Sequence, residues 1–175
     1  MNGKKMPTHI VLIGFMGTGK STVGQLLAQR LGYAVVDMDA EIERREGRLI
    51  RDIFAEEGEG AFRKAESDTL SEILSRSEVQ IIATGGGAVL AEQNREAMLS
   101  NGFVIALTAD TADIIQRVGN DPARPLLQGN AADRVHKLLL ERKHAYDFAH
   151  LTLNTTGLTA QQVADKIWDS WRSRG

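Results

Sequence analysis

The chain has no cysteine. That excludes a disulfide framework, a thiolate metal site and a cysteine nucleophile, and it is compatible with the cytoplasm, where we expect the protein. Proline is scarce, with three residues in 175, and no linker, internal repeat or low-complexity block interrupts the sequence. No apolar run approaches the ~20 residues that span a bilayer, so no membrane partner is expected. The formal net charge is only −2, which removes the basic field a nucleic-acid partner would require. The segment Met1–Thr8 carries Lys4 and Lys5 but no apolar stretch ahead of a cleavage site; it reads as a short mobile terminus, not a secretory signal. The four histidines (His9, His136, His144, His150) lack paired metal-ligand spacing and read as structural or solvated.

What is present is an ordinary globular composition, 42% hydrophobic and 25% charged, in a length that suits one domain over residues 1–175 with its core in 9–172. Short apolar runs alternate with longer segments of helical period, the signature of an α/β protein with an open parallel sheet. The strands expected are His9–Gly14, Ala34–Asp37, Gln80–Thr84, Phe103–Thr108 and Leu151–Asn154. Runs such as Val104-Ile105-Ala106-Leu107 suit strands covered by helices on both faces. Helices are expected over 21–31, 40–46, 49–56, 60–75, 91–100, 111–118, 132–148 and 160–170, with Gly32 and Gly47 closing the first two. In the last, Val163, Ile167, Trp168 and Trp171 form a stripe that reads as core packing. Two segments exceed a simple crossover. Residues 39–75 should form a helical insertion, and 119–130 (GNDPARPLLQGN) is either a functional lid or disordered.

One motif carries specific chemistry. Gly14-Phe15-Met16-Gly17-Thr18-Gly19-Lys20-Ser21-Thr22 follows the first apolar run and opens the first helix, the context that a G-x-x-x-x-G-K-[ST] phosphate-binding loop requires. Its glycines let backbone N–H groups turn toward a polyphosphate, and the helix N-terminus adds partial positive charge. Gly17, Thr18, Gly19, Lys20, Ser21 and Thr22 are thus the expected nucleotide contacts, with Lys20 reaching the β- and γ-phosphates and Ser21 ligating magnesium.

Open α/β sheets bind ligands beyond the carboxyl ends of their strands. Asp37-Met38-Asp39 and Thr84-Gly85-Gly86-Gly87 fall on the same rim as the phosphate-binding loop. Asp37 and Asp39 are read as taking different roles: one would support magnesium through water, and the other would orient or deprotonate an acceptor hydroxyl. Asp39 reads equally well as the N-cap of the next helix. The glycine triplet signals close backbone approach or φ > 0, from a ligand or from a tight turn. Arg63, with Glu66 placed to orient it, and Arg142 could clamp an anionic acceptor, although most arginines are only solvated.

The segments GFMGTGKST, Asp37-Met38-Asp39, Phe62-Arg63 with Glu66, Thr84–Gly87 and Arg124-Pro125-Leu126-Leu127, then Arg142 with Tyr146, resemble the shikimate kinase family in order and spacing over about Ile10 to Trp168. The resemblance implies a P-loop three-layer α/β/α fold like that of nucleoside-monophosphate kinases, with a five-stranded parallel sheet. It also implies transfer of the ATP γ-phosphoryl group to the 3-hydroxyl of shikimate, on the route to chorismate and aromatic amino acids, with ATP and Mg2+ required. By the same resemblance Lys20, Asp39 and Arg124 are catalytic, Arg124 riding on the lid. Asp39, Arg63, Gly85, Gly86, Gly87 and Arg142 bind shikimate in a pocket walled by Phe54, Phe62 and Pro125. Asp37 supports the metal through water, and Arg117 lies against the adenine. His144 stands where many members have proline, and Asn154-Thr155-Thr156, which the resemblance places near the adenine, lacks an arginine that some members carry. The alternatives are another small-molecule kinase of this fold, or a nucleotide-binding module without turnover. A monomer acting on small molecules is expected.

Overall fold

The strand that organises the molecule carries a single polar side chain, His9. In His9–Gly14 (β1) every residue is buried, and each fully buried aliphatic side chain contributes about 1.5–3 kcal/mol. A computed structural model of the chain describes residues 9–118 and 130–174. The expected terminus 1–8 and residues 119–129 of the expected lid, including Arg124 and Pro125, lie outside the described residues.

Five strands form one parallel sheet in the order β2-β3-β1-β4-β5, with β2 at Ala34–Asp37, β3 at Gln80–Ala83, β4 at Gly102–Thr108 and β5 at Leu151–Asn154. β1 is central, with Leu12 opposite Ala83 on one side and Ile105 on the other. Three strands have the expected bounds. β3 ends one residue early, yet Thr84 stays on the sheet, since its N–H and its hydroxyl both donate to Leu12 O, at 3.1 and 2.9 Å. β4 starts one residue early because Gly102 pairs with His9.

Alternation along the strands splits the core into two layers. Val11, Ile13, Ile82, Val104 and Ala106 face one way, onto helices α2 (Met38–Glu46), α4 (Glu59–Leu74) and α5 (Glu92–Asn101). Ile10, Leu12, Ile81, Ile105 and Leu107 face the other, onto α1 (Lys20–Leu31) and α8 (Ala160–Arg174). The result is the three-layer α/β/α architecture expected. α3 (Ile50–Glu57) joins α4 at Gly58, and α6 is Thr111–Val118. Gly32 and Gly47 end α1 and α2 as expected. On α8, Val163 and Ile167 are buried and Trp171 packs against the same cluster, its ring 6.0 Å from that of Phe103; these three are core packing, whereas Trp168 is partly exposed beneath the Arg30 guanidinium, 4.9 Å from its ring centroid. A single 3-10 turn, Ala88–Leu90, precedes α5.

One helix differs markedly from expectation. α7 spans Ala131–Glu141, not 132–148. Beyond it the chain turns through 3-10-like bonds, Ala145 N–H to Arg142 O and Asp147 N–H to His144 O. A tertiary bond competes with helix continuation here, for the Tyr146 hydroxyl donates to Gly86 O at 2.6 Å across the sheet rim. α8 runs four residues past its expected end.

Candidate active site

Between β1 and α1 the chain wraps around its own N–H groups, and Gly14, Gly17 and Gly19 adopt φ of 146°, 78° and 91°. A side chain at Gly14 would also strike the Leu107 carbonyl, so this turn tolerates no Cβ. Lys20 Nζ donates to Gly14 O at 2.7 Å and to Phe15 O at 2.9 Å, lying along the inside of the loop. Thr18 turns its hydroxyl inward to Phe15 O, at 2.8 Å. Arg117, on α6, donates from Nη1 to Gly17 O at 2.8 Å, which ties that helix to the loop.

Ser21 Oγ donates to Asp37 Oδ2 at 2.7 Å, while Asp37 Oδ1 accepts from Ala40 N–H at 3.2 Å. Asp37 is therefore the N-cap of α2. This corrects one reading: Asp39 is not the cap. Helix geometry begins at Met38, and both Asp37 and Asp39 line one cavity of about 430 Å³. The loop residues Gly17 to Thr22, Gly85, Gly86 and Arg117 also line it.

None of Gly85, Gly86 and Gly87 has positive φ. Close approach explains the triplet. A Cβ on Gly85 would stand 3.1 Å from both Asp39 Oδ1 and Glu66 Oε2. On Gly86 it would lie 3.3 Å from Met16 N and 3.4 Å from Arg142 Nη1; on Gly87 it would lie 2.5 Å from Arg63 Nη1. Arg63 and Arg142 thus converge on adjacent glycines, packed behind the cavity wall. Arg63 Nη1 donates to Glu66 Oε1 at 2.9 Å and Nη2 to Glu59 Oε1 at 3.3 Å, with its guanidinium 5.1 Å from the Phe62 ring centroid. Phe54 and Phe62 stack at 5.1 Å. Arg142 is buried, 5.7 Å from the Phe15 ring. It follows the last residue of α7 instead of lying within a helix.

Glu66 is 1% exposed, and its Oε2 has no hydrogen-bond partner among the described residues. Burial pushes its carboxyl above the usual range, Arg63 opposes that shift, and the charge of Asp39 adds to it. Burial likewise raises the Tyr146 phenol. The Tyr146–Gly86 bond was invisible in the sequence except as part of the family pattern. Thr155, Leu158, Ala160 and Val163 also line the cavity, and of these only the Thr155 neighbourhood had been expected near the nucleotide.

The donor set beside the loop suits magnesium. Ser21 Oγ and the Asp37 carboxylate are hard oxygen donors on one edge, and magnesium in nucleotide sites takes one or two carboxylates with phosphate and water. Among the described residues no three His, Cys, Asp or Glu side chains gather as an all-protein metal cage. No helix among the described residues is long and apolar enough to cross a membrane.

A central parallel strand feeding this loop into a helix, with the Asp37 carboxylate at the end of β2, one strand removed, defines a P-loop nucleotide-binding α/β protein. The particular family follows from comparison. The shikimate kinase family model matches residues 16–172. The shikimate kinase of Thermobifida fusca is 48% identical over 90% of this chain and 91% of its own length, and that of Thermodesulfovibrio yellowstonii 41% identical over 91% and 92%. The structure of shikimate kinase from Acinetobacter baumannii in complex with shikimate superposes with a TM-score of 0.92 at 40% identity, covering 97% of this chain and 96% of that one. The chain belongs to the shikimate kinase family.

Proposed function

We propose that this chain transfers the γ-phosphoryl group of ATP to the 3-hydroxyl of shikimate. The observation that carries the reading is the convergence of Arg63 and Arg142 on Gly87 and Gly86, next to the phosphate-binding loop. Two guanidinium forks beside free backbone amides suit a small carboxylic acid with ring hydroxyls. A gluconate carboxylate or a nucleotide phosphate would also suit such a clamp; what favours shikimate is that the shikimate kinases of two other organisms share over 40% of the sequence.

In this reading Arg63 and Arg142 grip the substrate carboxylate, and amides of Gly85–Gly87 receive its hydroxyl oxygens. Asp39, whose carboxylate stands beside Gly85, aligns the 3-hydroxyl and accepts its proton as that oxygen bonds to the γ-phosphorus. The bond from phosphorus to the β–γ bridging oxygen breaks, and ADP departs. Ser21 and, through water, Asp37 would hold a magnesium ion, which when bound offsets phosphate charge. Lys20 exchanges two carbonyl partners for phosphate oxygens. Arg124, outside the described residues, is the further cation we assign to the transferring group. Positioning and charge neutralisation supply most of the rate enhancement in such transfers. We take the enzyme to work as a monomer in the cytoplasm.

A coupled ADP-release assay with MgATP and shikimate tests the reading. Turnover with shikimate and not with gluconate or nucleoside monophosphates is the expected result. Arg63→Ala should raise the shikimate KM, and Asp39→Asn should lower kcat by about 100-fold or more while ADP still binds. An unchanged KM in the first variant, or near-native turnover in the second, removes the role assigned to that residue.

A further inference from the structure

The charges behind the acceptor half are balanced, and an anionic acceptor upsets the balance. Among the described residues Glu66 is the only buried carboxylate. Its Oε1 accepts from Arg63 Nη1, while its Oε2 has no partner. Oε2 and Asp39 Oδ1 each stand 3.1 Å from where a Cβ on Gly85 would be, so the two oxygens are no more than about 6 Å apart. Like charges that close disfavour each other. Two guanidiniums act against these two carboxylates, Arg63 on the same helix and Arg142 beyond α7, and the Tyr146 phenol feels the same pair of cations. α3 and α5 also pack on α4. Their charged groups are engaged elsewhere, Glu56 and Glu57 with Arg48, and Arg95 with the carbonyls of Val89 and Leu90.

An acceptor carboxylate held by Arg63 and Arg142 adds a third negative charge. Glu59, which also holds Arg63, is 55% exposed and can turn to water. Glu66 has no such exit, and leaving Arg63 would bury an unpaired charge. Burial and the charge of Asp39 already favour its neutral form against the two cations, and a further anion on those cations acts in the same direction. We propose that Glu66 takes up a proton from solvent when the anionic acceptor docks, which restores two cations against two anions and leaves Asp39 as the ionised carboxylate beside Gly85. The proton resides on Oε2, and Oε1 keeps the Arg63 bond. Glu66 is thus a positioning residue that acts through Arg63, and the inference rests on the acceptor reading above.

The test is calorimetry of shikimate binding to the full chain without nucleotide, in buffers of different ionisation enthalpy, from about pH 5.5 to 8.5. The bound state holds more protons, so affinity weakens as pH rises. Net uptake of up to one proton per acceptor is expected, with Kd increasing by at most about tenfold per pH unit. Glu66→Gln keeps the oxygen that Arg63 donates to and imitates the protonated acid. Its uptake should vanish and its Kd should stay level, so that at the alkaline end it binds shikimate more tightly than the wild type. A carboxylate that only orients Arg63 would give weaker binding there instead. Uptake below about 0.1 proton throughout, uptake that persists in the variant, or weaker alkaline binding by the variant overturns the proposal. Should the variant fail to fold, infrared difference spectra of wild type labelled with 13C-glutamate decide. Shikimate must bring up an isotope-shifted carbonyl band of a protonated glutamate, and its absence refutes the uptake. Binding without uptake removes this inference alone, whereas no binding of shikimate at all removes the acceptor reading and this inference with it.

Discussion

Gly87→Ala adds one methyl group and no backbone strain, because Gly87 sits at φ −97°, ψ 0°, a conformation open to alanine. The new Cβ would be 2.5 Å from Arg63 Nη1 and 2.6 Å from Cζ. Carbon contacts settle near 3.5 Å, so the guanidinium must retreat by about 1 Å. Its 2.9 Å bond to Glu66 Oε1 does not survive a shift of that size. A charge-assisted hydrogen bond contributes about 1.5–3 kcal/mol, and the substrate carboxylate meets the same displaced fork. The shikimate KM should therefore rise about 10- to 100-fold, at 1.4 kcal/mol per factor of ten, while the KM for MgATP stays within about twofold. Steady-state kinetics with each substrate varied in turn reads both. The decisive control is the double variant with Arg63→Ala. Once the guanidinium is gone the methyl has nothing to displace, so Gly87→Ala should add no further loss. If it does add one, or if the single variant leaves the shikimate KM untouched, the argument from close approach is wrong.

Three further outcomes are expected. Asp37→Ala removes both the partner of Ser21 and the cap of α2; urea denaturation should show a loss of about 1 kcal/mol, with a raised KM for MgATP and a nearly constant one for shikimate. Tyr146→Phe deletes the 2.6 Å bond to Gly86 O, and should cost about 1 kcal/mol in the same denaturation experiment and loosen shikimate binding more than ATP binding. Glu66→Gln tests the raised carboxyl. A folded-state value above the unfolded one means that the native protein binds more protons, so wild-type stability falls as pH rises from the unfolded value toward the folded one, by at most about 1.4 kcal/mol per pH unit. The variant lacks that slope, and its stability relative to wild type should increase with pH from about 4.5 upward; a parallel pair of stability–pH curves would contradict it.

The strands were legible because a strand covered on both faces has no alternation to hide it. Ile10–Ile13 and Val104–Leu107 are continuous apolar runs, and all are fully buried. The phosphate-binding loop was legible because its spacing is itself the chemistry. Helix ends were less so. α7 keeps its helical period in sequence beyond Glu141, yet Arg142 and Tyr146 have partners on the far side of the rim, and tertiary contact outweighs propensity. The two aspartates show the same limit at shorter range. Either could cap α2, and only the register of the turn after β2 decides for Asp37. The apolar wall of Leu158, Ala160 and Val163 carries no signature at all, since aliphatic residues facing a ligand look in sequence like residues facing a core.

The glycine triplet shows how an acceptor site can be written in the residues it lacks. Each of the three positions is occupied by a different charged neighbour. The carboxylates of Asp39 and Glu66 stand at Gly85, Arg142 at Gly86 and Arg63 at Gly87. A side chain at Gly87 would displace the Arg63 guanidinium, and one at Gly85 or Gly86 would press its neighbours back by a few tenths of an ångström, so the backbone comes nearly bare to the rim. That arrangement also accounts for a buried carboxylate that stability alone would not favour. Glu66 is costly to bury, but without it the Arg63 fork, pressed against Gly87, would have only the more exposed Glu59 to fix its angle. On the phosphate side the logic reverses. Lys20 donates to two neutral carbonyls, bonds already assisted by the ammonium charge, and phosphate oxygens add the attraction of an opposite charge. The acceptor half is thus fixed in advance, whereas the donor half rearranges only when a polyphosphate makes the exchange favourable.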